Sequence, residues 1–218
     1  MKSAFSIATV CVFFAVLLTG FGLFLGGHLI RIGDIKMEPT LLRGDVVWAQ
    51  KIFAPENYVP ARGSLVSFYR KGRIHVRRVI GRPGDRLRIE QGTIDLNGQQ
   101  ATLRPEKDAW FDLRPLLSQS TITQIYSERV GADEHPVALM AESFIQSPLD
   151  HWPTTGGYFT VPDDHVFVLS DSRNLADDSR VFGALPIKAI RSQIRILAFS
   201  HDPEQVARIR VSRLLELF

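Results

Sequence analysis

The ten residues Lys36-Met37-Glu38-Pro39-Thr40-Leu41-Leu42-Arg43-Gly44-Asp45 organise this chain. They follow a single long apolar segment and run directly into a strand-like stretch, Val46-Val47-Trp48-Ala49. The apolar segment, Ala4 to Gly27, holds 24 residues without a charge, among them Val10, Phe13, Phe14, Leu17, Leu18, Phe21 and Leu25. About 20 such residues cross a bilayer as a helix, so 4–27 reads as a transmembrane anchor with residues 1–3 ahead of it. A cleaved signal peptide has a shorter apolar core, and Gly20-Phe21-Gly22 is a weak cleavage site.

Of 218 residues, 45% are hydrophobic, and removing the anchor leaves about 190 for one domain or a domain with an insertion. Net charge is +3, but the 26 basic and 23 acidic residues are mixed along the chain. That mixing excludes nucleic acid as the expected partner and suits a mildly basic face towards membrane lipid. The one cysteine, Cys11, lies inside the apolar segment, so there is neither a disulfide framework nor a cysteine metal set. His28, His135, His151, His165 and His201 are dispersed without metal-ligand spacing. The expectation is no metal and no cofactor.

Past the anchor, β-branched and alternating runs bounded by Gly, Pro and Asn recur at 45–51, 64–69, 74–80, 86–90, 93–96, 159–161, 165–169 and 193–199. This pattern predicts an all-β, antiparallel domain over 28–202. Arg82-Pro83-Gly84-Asp85 and Leu96-Asn97-Gly98-Gln99 read as turns, because Pro presets φ while Asn and Gly tolerate positive φ. Between about 105 and 157 no sustained period remains, and the stretch reads as an inserted cap. At the end, Val206, Ile209, Leu214, Leu217 and Phe218 stand at helical spacing among Arg208, Arg210 and Arg213. The expectation for 203–218 is an amphipathic helix packed on its own domain.

With its partners downstream, the opening stretch resembles the type I signal peptidase family (peptidase S26), in which a Ser immediately before Met-x-Pro-Thr-Leu is the nucleophile. Met37 and Pro39 match that box. A second box, a strand ending Lys-Arg-x-x-Gly-x-Pro-Gly-Asp, is seen as Arg77-Arg78-Val79-Ile80-Gly81-Arg82-Pro83-Gly84-Asp85. A third, Gly-Asp-Asn-Arg-Asp-Asn-Ser-x-Asp-Ser-Arg-x-x-Gly, runs from Ser170 to Gly183 and is matched by Asp171, Arg173, Asp178, Ser179, Arg180 and Gly183. The resemblance implies a signal-peptidase-like β domain on the periplasmic or exoplasmic side of the cytoplasmic membrane. It also implies a variable insertion between the second and third boxes, and a family role in removing signal peptides from exported proteins.

The departures from the family fall on its chemistry. Serine attack on an amide needs a hydroxyl, a neutral base and donors for the oxyanion. Lys36 stands at the nucleophile position and Arg77 at the general-base position, where a guanidinium cannot accept a proton. Asp34 stands where many members place an oxyanion-donating Ser, and Ala176 where a Ser orients the base. The bland reading of Asp34, Lys36 and Arg77 is a charged surface cluster in which Asp34 offsets two cations. Asp171, Arg173, Asp178 and Arg180 read as residues that hold the loop, since buried arginine and carboxylate fix geometry by bidentate bonds.

Three functions follow. The leading one is a non-catalytic homologue that binds a signal sequence, an exported precursor segment or an active signal peptidase. The second is a serine endopeptidase with a relocated dyad, using Lys36 or His75 as base and Thr40 or Ser172 as nucleophile. The third is a structural envelope protein that uses the β domain only as an interaction surface.

Overall fold

The computed structural model describes residues 20, 26–52, 58–90, 93–112, 122–140, 157–175, 177–201, 210 and 213–218. The anchor expected at 4–27 therefore lies outside the described residues except at Gly20, Gly26 and Gly27, and Ala176 lies outside them too. No helix among the described residues is long and apolar enough to cross a membrane.

Seven strands make the main sheet: β1 (Gly27–Arg31), β2 (Val46–Lys51), β3 (Leu65–Arg70), β4 (Arg73–Gly81), β12 (His165–Leu169), β13 (Leu185–Pro186) and β14 (Ile190–Phe199). Their order is β1-β2-β14-β3-β4-β12-β13, with every pairing antiparallel. β5 (Arg86–Glu90), β6 (Thr93–Leu96), β7 (Gln99–Gln100) and β11 (Phe159–Thr160) form a four-stranded sheet in the order β11-β5-β6-β7. The antiparallel β architecture expected from the alternation is present.

Alternation decides which core each side chain enters. In β12, Val166 and Val168 join a cluster with Val66, Phe68, Val79 and Leu185, while Phe167 and Leu169 join another with Ile80, Leu87, Ile94 and Phe159. Leu65, Val76, Ile194 and Leu197 complete a third cluster with Ile30, Ile32, Val47 and two residues of the opening stretch, Met37 and Leu41. Those two plugs seat the opening stretch on the sheet. The turn at Asn97-Gly98 has φ of 56° and 85°, the positive values that Asn and Gly accept most readily.

The stretch read as an inserted cap contains strands where described. β8 (Thr102–Asp112), β9 (Ile122–Val130) and β10 (Asp133–Met140) form a three-stranded sheet, β10-β9-β8. Its pattern is hidden because its buried positions include Glu128 and His135 beside Val130, Val137 and Ala138, so alternation in polarity is lost although alternation in burial is not. Of the helix expected at 203–218, only residues 210 and 213–218 are described, and the last six do not form that helix. They turn and pair with β14, through Leu215 N to Leu197 O at 2.9 Å and Phe218 N to Arg195 O at 2.9 Å. Arg213 bonds the Asp45 carboxylate, and Phe218 packs on the third cluster; these contacts outweigh a weak helical preference.

Candidate functional site

The three boxes converge. Asp171 is fully buried and its carboxylate joins all of them: Thr40 Oγ1 donates to Oδ2 at 2.5 Å, and Arg78 donates through Nε to Oδ1 at 2.8 Å and Nη2 to Oδ2 at 2.6 Å. Burial opposes ionisation here, but the Arg78 guanidinium and the Thr40 hydroxyl outweigh it and hold the carboxyl below its ordinary range. Backbone contacts run parallel to these, with Ser172 N donating to Lys36 O at 2.9 Å.

Two further buried pairs fix the third box. Asp178 caps the one-turn helix Ser179–Phe182 and takes bidentate bonds from Arg180 at 2.9 and 2.7 Å, plus one from Ser170 N at 2.9 Å. Arg173 reaches into the β8–β10 sheet, where both its terminal nitrogens bond Glu128. Burial works against that carboxylate, yet Arg173 and His135 bring its pKa down to about 2. Ala138 N to Asp171 O and Arg173 N to Ala138 O, at 2.9 and 3.0 Å, dock β10 along the same loop.

Lys36 and Arg77 meet at a residue the boxes do not single out. Lys36 Nζ lies 2.9 Å from Asp177 Oδ2, Arg70 Nη1 3.2 Å from Oδ1, and Arg77 Nη2 3.8 Å from Oδ2. Arg77 Nε also donates to the Asp177 carbonyl at 3.0 Å, and Nη1 to Val76 O at 2.5 Å. Burial opposes ionisation of this carboxylate, but Lys36 foremost, then His75 and Arg77, hold it below its ordinary value. Asp177 escaped sequence reading because it falls on the variable position of the third box. The only available signal was a second acid beside Asp178.

The surface cluster expected of Asp34, Lys36 and Arg77 needs correcting. Arg77 is 0% exposed, and Asp34 lies 3.9 Å from Arg77 but bonds Lys36 only through the backbone N–H, at 3.1 Å. Asp177 is the counter-ion that Lys36 needs. Burial pulls the Arg77 guanidinium below its ordinary value while Asp34, Asp178 and Asp177 push it back; an arginine so surrounded stays protonated.

His75 lies against Arg77, with Nδ1 3.5 Å from Nη2, and its Nε2 is 3.2 Å from Arg70 O. That carbonyl accepts from Nε2, while Nδ1 also lies 3.5 Å from Asp177 Oδ2. Burial, then Arg77, lowers the His75 pKa, against Asp177 and the Arg70 carbonyl, which raise it. Among the described residues no serine or threonine hydroxyl bonds either His75 or Lys36 Nζ.

Beside these residues lies a groove of about 770 Å³, lined by the β1 side (Leu29 to Met37), the β3–β4 hairpin (Tyr69 to Val76) and Asp177. Ile30, Ile32, Met37 and Val76 are buried along it, while Leu29, Tyr69 and Ile74 are 60%, 60% and 47% exposed. β1 pairs only with β2, so among the described residues its outer backbone edge has no strand partner.

Fold and site together define an antiparallel β protein in which three sequence boxes meet at a groove beside an open strand. The chain belongs to the signal peptidase, peptidase S26, family, which it matches over residues 4–199. It is 26% identical to signal peptidase I of Streptococcus pneumoniae serotype 4 over 168 residues, covering 76% of this chain and 79% of that one. Signal peptidase I of Aquifex aeolicus is 26% identical over 196 residues, covering 78% and 74% respectively. A crystal structure of an Enterococcus faecalis signal peptidase I covers 62% of this chain and 96% of its own, at 22% identity and a TM-score of 0.37.

Proposed function

We propose that this chain is a non-catalytic signal peptidase homologue that binds an extended segment of an exported precursor, or of an active signal peptidase, in the groove and does not cut it. The observation that carries the reading is the convergence of Lys36 and Arg77 on the Asp177 carboxylate. By the resemblance of the boxes, these two residues stand where the family has its nucleophile and its base. An ammonium committed to a carboxylate is not a hydroxyl, and a guanidinium has no electron pair with which to take a proton. Asp34 supports the same reading, since a carboxylate beside the reacting carbonyl opposes the oxyanion that donors there would stabilise.

Binding without cleavage draws on features that remain. An open strand edge offers main-chain hydrogen bonds, and apolar walls take alternate side chains, the arrangement by which an extended peptide adds to a sheet. The uncharged run 4–27 supports a single-pass anchor in the cytoplasmic membrane with the β domain on its outer side.

The test is a cleavage assay of this protein in membranes on a standard exported precursor, beside an active family member, with crosslinking from the groove in parallel. The expected result is a crosslinked precursor and no product. Product formation that survives Lys36→Ala but is lost with His75→Ala would replace this reading with a relocated base.

A further inference from the structure

We propose that the segment held by this groove is acidic, an extended chain carrying carboxylate side chains next to apolar ones. The inference rests on the groove-binding reading above and adds a charge preference to it.

The groove's own charges point this way. Arg31, Lys36, Lys71 and Arg73 line it against two carboxylates, Asp34 and Asp177. Both carboxylates are already engaged: Asp177 by Lys36, Arg70, Arg77 and the neighbouring His75 ring, Asp34 by the Lys36 N–H and Arg77. Three of the cations are not. Arg31, Lys71 and Arg73 are exposed, and none has a carboxylate partner among the described residues. Asp177 is spent on the protein, Asp34 is 42% exposed and only loosely paired, and four lining cations against these two carboxylates leave the positive charge on the rim for a ligand.

The rim also mixes charge with apolar surface at strand spacing. Leu29 and Arg31 sit two apart on β1, both exposed, while Ile30 and Ile32 turn inward. Across the groove the hairpin presents Tyr69, Lys71, Arg73 and Ile74, all exposed. An added strand places side chains at the same period of two, so apolar residues and acids in alternation meet both kinds of rim residue. A flat anionic bilayer would reach the three cations but leave the recessed Ile30, Ile32 and Val76 uncovered, so a chain that enters the groove satisfies more of it.

The experiment uses the full chain in phosphatidylcholine nanodiscs and end-blocked fluorescent peptides that alternate valine with glutamate, with glutamine or with lysine. Binding is read by anisotropy at about 50 mM and about 500 mM salt, since charges this exposed are screened within a few ångströms at the higher value. The glutamate peptide is expected to bind at least about tenfold more tightly than the glutamine one at low salt, with the gap closing at high salt. Arg31→Gln with Arg73→Gln should bring the glutamate peptide down to the glutamine peptide's affinity while thermal unfolding is unchanged. Equal binding of both peptides, lost together in Leu29→Asp, would overturn the charge preference and leave groove binding standing. No binding of any peptide would remove groove binding and this inference with it. If phosphatidylglycerol nanodiscs abolish binding of the glutamate peptide in the wild type but not in the Arg31→Gln, Arg73→Gln protein, the rim serves lipid and the inference is wrong.

Discussion

Replacing Asp171 by Asn should destabilise this protein more than any substitution in the groove. The carboxylate is 0% exposed and takes three side-chain hydrogen bonds, one from Thr40 and two from Arg78. Removing its charge strands a guanidinium that is itself 7% exposed. Breaking one partner of a buried ion pair costs about 3 to 5 kcal/mol. In a domain of this size about 1 kcal/mol moves Tm by about 2 to 4 °C, so the midpoint should fall by roughly 6 to 20 °C. Adding Arg78→Met should recover part of the loss, because replacing both partners leaves no buried unmatched charge. Circular dichroism melts of wild type, both single variants and the double variant measure the cycle. The pH dependence follows the same logic: the folded pKa lies below the unfolded one. The stabilisation is thus present above about pH 4 and is lost as pH falls through the folded value. A loss under about 1 kcal/mol for Asp171→Asn, or a double variant as unstable as the two singles added, would refute the account of Asp171 as the tie between the boxes.

Lys36→Ser with Arg77→Lys should fold yet cleave poorly, because on the proposed reading Asp34 still stands at the family's oxyanion position, where losing even one donor costs about 100 to 1,000-fold; adding Asp34→Ser and Ala176→Ser should raise product formation well above the double variant, and equal rates would show that Asp34 and Ala176 lie outside the reaction site. Glu38 is 4% exposed with Oε2 unbonded among the described residues, and burial raises its pKa to about 7. The folded state then holds a proton that the unfolded state has released, so stability should decline as pH rises from about 4.5 to about 7, by about 3 kcal/mol; Glu38→Gln should flatten that slope in melts taken across the range, and an unchanged slope would place the charge elsewhere. The uncharged run 4–27 should keep the protein in membranes through an alkaline wash; a soluble product whose amino terminus begins near Leu23 would contradict it.

How much was legible follows from what each kind of residue reports. All eight predicted strand runs correspond to strands β2 to β6, β11, β12 and β14, because one buried face writes a period of two into apolar residues. β8 to β10 were illegible for the converse reason: Glu128 and His135 occupy inward positions, and only Arg173, 45 residues from Glu128 in sequence, makes them tolerable there. β1 was missed because glycine and a short run with one buried isoleucine carry little alternation.

The sequence by itself determined the strand pattern, the turns at Gly84 and Asn97-Gly98, and the family, since three boxes in the family's order need no coordinates to be recognised. It also determined that Lys36 and Arg77 are the residues present, and hence which proton transfers their side chains can perform. Only the tertiary structure decided what those side chains do. Asp177, 141 residues from Lys36, becomes its counter-ion because the third box folds back over the first, and Arg77 is buried rather than exposed because that same loop closes over β4. Local sequence records the burial each residue prefers, but the partner of a charge is a long-range choice, made by whichever distant segment the packing of Met37, Leu41 and the sheet brings within a few ångströms.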